Sequence, residues 1–217
     1  MEDLDIVNKT TLFCAKRGSG KSVLCKYLVE ANRHKFEKVF VVCPTEDINH
    51  HYQKGGLVPK NCIYTEWNEQ WADSLCKNLQ KVNANKSKKE MKMVLLILDD
   101  IFADVDFHHS PILKSIFMRS RHYGLAVFSL VQTLTSAPPY LRINSDWICL
   151  GQINRASILL AADEFLSGDL AKDEFIKLYN RSTKDYGFLL INNNSIKESD
   201  DLNQIYGIIK TPEHYVG

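Results

Sequence analysis

Near its start the chain reads Cys14-Ala15-Lys16-Arg17-Gly18-Ser19-Gly20-Lys21-Ser22, which sets two glycines, a lysine and a hydroxyl in the order that a bound phosphate requires. Gly18 and Gly20 let the backbone turn its N–H groups inward around phosphate oxygens, and a helix opening at Lys21 would add its positive N-terminal end. Lys21 is then the cation for the β- and γ-phosphates. Ser22 offers a hydroxyl to Mg²⁺, a hard ion that prefers oxygen ligands and shares its shell with nucleotide phosphates. The first glycine usual in such a loop is replaced by Ala15.

A second element must bring acid to that metal. Val94-Leu95-Leu96-Ile97-Leu98-Asp99-Asp100 has the form of a buried strand ending in carboxylates. Asp99 is the expected magnesium ligand, directly or through water. Asp100 occupies the position at which many ATPases carry a glutamate that activates the attacking water; its side chain is one methylene shorter. The loop from Ala15 to Ser22 and the acidic strand together predict a P-loop nucleotide triphosphatase that binds ATP with magnesium.

Elements able to position these residues are legible along the chain. Apolar runs at Thr11 to Ala15, Val39 to Cys43, Val94 to Leu98, Leu125 to Val131 and Trp147 to Leu150 read as strands, with a last strand at Gly187 to Ile191 before a polar tail. Their continuous apolarity suits strands covered on both faces. Lys21 to Arg33, Ile112 to Arg121, Ala156 to Phe165 and Leu170 to Tyr179 read as helices, with Pro111 as a first helical residue after Ser110. The expected fold is α/β: a P-loop NTPase of the ASCE, RecA-like kind, with a mainly parallel sheet of about six strands flanked by helices. All 217 residues are read as a single domain, 1–217.

Composition narrows the function classes. Lys and Arg total 27 against 26 Asp and Glu, so any contact with nucleic acid must be local. The six cysteines are dispersed with no C-x-x-C pair and read as reduced thiols. His50-His51 and His108-His109 lack a third ligand at a useful spacing, so no zinc site is expected. Trp67 and Trp71, spaced as on one helix face, are read as core. The acidic start and the lack of a membrane-length apolar run predict a soluble, non-secreted protein without a membrane partner. No N-K-x-D motif is present to read guanine, and Asn193-Asn194-Ser195 does not replace it.

With loop and acids in place, Phe117-Met118-Arg119-Ser120-Arg121-His122-Tyr123-Gly124, followed by an apolar strand closed at Gln132, is similar to the HerA/FtsK superfamily. In that superfamily a helix ends in an Arg-x-x-Gly-like turn before a strand closed by glutamine. The branch it resembles is the genome-packaging ATPase of large eukaryotic DNA viruses, the poxvirus-type packaging ATPases. Asp99-Asp100, Arg121-His122, the stretch Pro138 to Asp146 and Tyr186-Gly187-Phe188-Leu189-Leu190 join the resemblance, which runs from about Thr11 to Ile191.

The resemblance implies that Gln132 ends the fourth core strand beside the γ-phosphate, where a carboxamide can sense phosphate or water. Arg121 aligns with the arginine that reaches a neighbouring subunit's site, with Arg119, Arg142 and Arg155 as competitors. A finger supplied in trans implies a homo-oligomeric ring, of roughly five or six subunits, that encloses double-stranded DNA and delivers it to a preformed capsid, so capsid proteins are expected partners. Lys77, Lys81, Lys86, Lys88, Lys89 and Lys92 are the candidate DNA-contacting run, at the sheet edge away from the nucleotide. The implied setting is the host cytoplasm, a virus factory or the virion. Two other readings stand beside this one: a cellular-type HerA/FtsK translocase or helicase, and an ATP-binding assembly module that hydrolyses little.

Overall fold

Successive residues of a strand face opposite sides, so a run that is apolar at every position must have a core on each side. The chain bears this out. Leu12 and Cys14 join one core with Leu96, Leu98 and Val127, while Phe13 and Ala15 join a second with Leu95, Ile97 and Phe128. The computed structural model describes residues 4–103, 106–167, 170–197, 201–212 and Tyr215.

The strands are β1 (Thr10–Cys14), β2 (Lys38–Val42), β3 (Ile63–Tyr64), β4 (Val94–Asp99), β5 (Leu125–Val131), β6 (Trp147–Leu150), β7 (Phe188–Asn192) and β8 (Tyr206–Ile209). They form one sheet in the order β3-β2-β4-β5-β1-β6-β7-β8. The strands from β3 to β6 in that order are parallel; β7 and β8 close the edge antiparallel. The helices are α1 (Lys21–Ala31), α2 (Glu46–Asn49), α3 (Glu69–Asn83), α4 (Pro111–Tyr123), α5 (Pro139–Asn144), α6 (Arg155–Phe165), α7 (Lys172–Ser182) and α8 (Leu202–Ile205). Ala72, Leu113, Leu141, Ala161 and Phe175 of the longer helices and α5 cover one face. Leu24 and Leu28 of α1, with Tyr52 and Val58 after β2, cover the other.

The parallel α/β architecture is the one expected, and β5 and β6 have the expected bounds. Ser110 caps α4 by accepting from the Leu113 N–H at 3.0 Å, with Pro111 at the first turn, as its sequence position suggests. Three expectations need correction. Among the described residues the sheet has eight strands instead of about six, because two-residue β3 is too short to show as a periodic run. The supposed polar tail holds β8, which buries Ile209 by pairing with β7, Phe188 opposite Ile209. Finally, Trp67 lies outside α3: Asn68 is the N-cap, accepting from the Trp71 N–H at 2.9 Å, so the two indoles do not share a helix face. Both are partly buried at the margin of a core.

All six cysteines are free. Among the described residues no helix is long and apolar enough to cross a membrane, and no group of three or more His, Cys, Asp or Glu side chains could hold a metal ion.

Candidate functional site

Parallel strands present their C-terminal ends together, and loops leaving those ends build the crevice in which open α/β sheets bind ligands. Here β1 runs into the glycine loop, β4 ends in Asp99, and β5 leads to Gln132. The sheet order sets β5 between β1 and β4, so the loop and the two acids converge across one strand.

The glycine loop is held from both sides. Ala15 N–H donates to the Val131 carbonyl at 3.1 Å, Lys16 N–H donates to that of Gln152 at 2.7 Å, and Gly20 accepts from the Leu24 N–H at 2.9 Å as α1 begins. Gly18 and Gly20 have φ values of 76° and 80°, the left-handed region that a side chain would oppose, so the loop needs glycine at both. Ala15 has a separate accommodation. A Cβ on Gly151, at the end of β6, would come within 2.8 Å of the Ala15 Cβ and 2.6 Å of Phe188 Cε1. The methyl that replaces the usual glycine hydrogen fits because the facing residue has none.

Lys16, Arg17, Gly18, Gly20, Lys21, Ser22, Asp99, Asp100 and Gln132 all line one cleft of about 430 Å³. Ala15 and Ser19 lie buried behind it, and Ser19 Oγ has no hydrogen-bond partner. The floor is polar and connected. Lys21, only 7% exposed, sets its ammonium 3.5 Å from Asp100 Oδ1, and Gln132 Nε2 donates to Asp100 Oδ2 at 3.0 Å. Asp100 itself has φ 57° and donates its N–H to the Leu130 carbonyl at 3.2 Å, so the chain turns sharply at this carboxylate. The donor set, a serine hydroxyl beside a buried carboxylate and an ammonium, suits Mg²⁺ with a polyphosphate.

Asp99 continues the Leu95 and Ile97 face of β4 and is 6% exposed. Burial pushes its carboxyl up to about 6, against the opposing pull of Lys21 and of a hydrogen bond from Tyr52, with Asp100 and Glu46 raising it further. Tyr52 belongs to the segment after β2 whose Thr45, Asn49 and His51 form a wall of the cleft that sequence reading missed; Tyr52 itself is fully buried. After β2, Glu46 accepts three backbone N–H groups, from His51 at 3.0 Å and from Tyr52 and Gln53 at 2.8 Å each. A buried carboxylate thus ties the segment into a knot that brings the fully buried Tyr52 to Asp99 and sets Thr45, Asn49 and His51 along the cleft. Burial lowers the His51 pKa from its ordinary value, and its Nε2 is buried without a hydrogen-bond partner. The available signal was positional: a connection leaving the C-terminal end of a parallel strand next to β4.

The arginines separate. Arg121 stands exposed in the last turn of α4, just before β5 begins, at the opposite end of the sheet from Lys21. Its carbonyl accepts from Asn8 Nδ2 at 2.8 Å, and it borders a recess with Lys9, Lys88 and Asp146. Arg119 and Arg155 are also exposed. Arg142 is buried: Nε and Nη2 each donate to Glu164 at 2.7 Å, and Nη1 donates to the Ala137 carbonyl. A guanidinium so committed is part of the fold, not a free arm. In the lysine run, Lys77 pairs with Asp73 and Lys92 with Glu37, while Lys81, Lys88 and Lys89 are exposed near the N-terminal edge of β4.

Comparison with known proteins follows the same lines. The model of the family described as Poxvirus A32 protein matches residues 7–199. Uncharacterized protein 075L of Invertebrate iridescent virus 6 is 30% identical over 192 residues, covering 88% of this chain and 73% of that protein. Among solved structures, the DNA-packaging ATPase B204 of Sulfolobus turreted icosahedral virus superposes with a TM-score of 0.66 at 16% identity, covering 96% of this chain and all of the other. The genome packaging NTPase B204 of Sulfolobus turreted icosahedral virus 2, solved with AMP, gives 0.63 at 18% identity over 87% of this chain and 94% of its own.

Proposed function

This chain belongs to the Poxvirus A32 protein family, and we propose that it is an ATP-hydrolysing motor that moves double-stranded viral DNA into a preformed capsid. The observation that carries the reading is the meeting of Lys21, Ser22, Asp99, Asp100 and Gln132 around one cleft, on a fold shared with viral packaging ATPases.

In the resting chain Lys21 and Asp100 neutralise each other. A triphosphate entering the loop offers Lys21 a stronger partner, which frees the Asp100 carboxylate to face the attacking water. Its carboxylate then takes a proton from water as the water oxygen attacks the γ-phosphorus and the bond to the ADP oxygen breaks. Gln132 holds Asp100 through its amide N–H, which leaves its carbonyl oxygen to accept from the same water. The reach of Asp100 is short, and the sharp turn at its backbone and the glutamine that holds it support a shared role in placing that water. Ser22 and Asp99 would hold Mg²⁺, which would offset phosphate charge.

Arg121, remote from its own Lys21 and exposed, is proposed as the finger that completes the site of a neighbouring subunit in a homo-oligomeric ring. Lys81, Lys88 and Lys89 are the proposed phosphate-backbone contacts to duplex DNA. Capsid proteins complete the partner set, in a virus factory or virion.

The experiment is steady-state ATP hydrolysis across protein concentration, with and without linear duplex DNA, for the wild-type chain and Asp100→Asn. Turnover that rises cooperatively with concentration and DNA, and vanishes in the variant while ATP still binds, is the expected result. Negligible, DNA-indifferent turnover would favour an assembly module, and undiminished turnover by Asp100→Asn would remove the base from this site.

A further inference from the structure

On the far side of the glycine loop from the acids stands an aromatic residue that the hydrolytic machinery does not use. Tyr186 is 59% exposed, although it lies in the short connection between α7 and a fully buried Phe188. It has φ 56° and follows Asp185 at φ 52°, two successive side chains in the left-handed region. That conformation is imposed by its surroundings. Gly187 donates its N–H to the Lys184 carbonyl at 2.9 Å and passes so near Ser182 that a Cβ would meet its carbonyl oxygen at 2.3 Å. Phe188 is drawn beneath the loop against Gly151, and Tyr186 is turned out above it. Its ring comes to rest on Gly20, where an added Cβ would meet Tyr186 Cδ1 at 3.5 Å. Among the described residues the ring has no aromatic partner and its hydroxyl forms no hydrogen bond.

The sheet order gives this position a direction. Asp99, Asp100 and Gln132 leave β4 and β5, on one side of β1; β6 and β7 lie on the other. Because β7 is antiparallel to β6, with Leu150 paired to Leu189, its beginning is at the same end of the sheet as the loop. A nucleotide with its γ-phosphate toward the acids and its β-phosphate in the loop must extend its nucleoside away from them. Tyr186 is the aromatic face waiting there.

Resting on the phosphate-loop reading above, we propose that Tyr186 is the platform on which the nucleobase stacks. A ring face recognises another ring face and reads no hydrogen-bonding edge, so this contact favours purine over pyrimidine nucleotides by area while treating ATP and GTP alike. The strained turn keeps the platform in place before the ligand arrives, which limits the ordering that binding requires.

The test compares binding of ATP and of inorganic tripolyphosphate, which lacks base and ribose, to the full chain and to Tyr186→Gly and Tyr186→Phe. Glycine adopts φ 56° without strain, so Tyr186→Gly removes the ring and keeps the turn. The expected result is ATP affinity weakened about tenfold or more in Tyr186→Gly, kept within about twofold in Tyr186→Phe, and tripolyphosphate affinity unchanged in both. Photolabelling with 8-azido-ATP should mark the peptide that contains Tyr186. Equal losses for both probes, an unaltered ATP affinity in Tyr186→Gly, or a label placed elsewhere would overturn the platform. A wild-type chain that binds neither probe would instead overturn the phosphate-loop reading on which it rests.

Discussion

The phenol of Tyr52 donates a 2.8 Å hydrogen bond to Oδ2 of Asp99, and both groups are buried. A carboxylate that is to face a magnesium shell needs a fixed orientation, and partners of this kind commonly change metal affinity about ten- to a hundredfold when removed. Tyr52→Phe keeps the ring and deletes only the donor. We expect the Mg²⁺ concentration for half-maximal ATP hydrolysis to rise about tenfold, matched by weaker Mn²⁺ binding to the nucleotide complex in electron paramagnetic resonance titrations. An unchanged metal dependence would leave Tyr52 as packing alone.

Asp99 also makes stability depend on pH in a definite direction. Its carboxyl titrates near about 6 in the folded chain, and near about 3.9 in an unfolded one, so the folded state binds the proton more tightly. Its contribution is therefore favourable below about pH 4 and is lost as pH rises through about 6. Asp99→Asn carries no charge to desolvate. In the absence of nucleotide and metal, the variant should gain stability over wild type between about pH 4 and pH 7, by at most about 3 kcal/mol. Denaturant melts at both ends of that range measure it, and a difference that fails to widen contradicts the buried setting of the charge.

Gly151 and Ala15 should behave as a coupled pair. Gly151→Ala adds a methyl 2.8 Å from the Ala15 Cβ and 2.6 Å from Phe188 Cε1, which must displace the loop or the ring. Overpacking of this kind costs about 1–3 kcal/mol, and here it should also weaken ATP binding. Adding Ala15→Gly relieves one of the two contacts, so the double variant should recover part of both losses. Additive effects in the double-variant cycle would refute the coupling.

Arg142 and Arg121 predict opposite signatures. Glu164→Ala leaves the buried Arg142 without its carboxylate and should destabilise the chain by about 2–3 kcal/mol while ATP affinity is unchanged. Arg121→Ala removes an exposed side chain and should leave the melting temperature unaltered. Mixed with wild type, Arg121→Ala protein should depress hydrolysis by more than its share of the subunits. Normal turnover by the variant alone, with no effect in mixtures, would exclude the finger.

How much of this was legible depends on whether the signal was local. The glycine loop, the acids after a continuous apolar strand and the caps of α4 are written in consecutive residues, because a phosphate cradle, a strand end and a helix start are each formed by one short stretch. The parallel α/β class follows for the same reason: strands apolar at every position need cover on both faces. The two edge strands escaped because β3 is two residues long and β8 owes its place to pairing with β7.

Side-chain partnership across the chain was decided only by the tertiary structure. Nothing near Glu46 in sequence announces that it will gather three N–H groups and deliver Tyr52 to Asp99, since those two residues are separated by 47 positions. Nor does Arg142 differ from Arg121 as a letter; one is enclosed by Glu164 and Ala137, the other faces solvent. The sequence by itself determined which chemistry could occur, because functional groups and backbone permissions belong to residue types. The tertiary structure decided which groups meet, because burial, hydrogen-bond partners and the side of the sheet on which a strand lies depend on packing among elements distant along the chain.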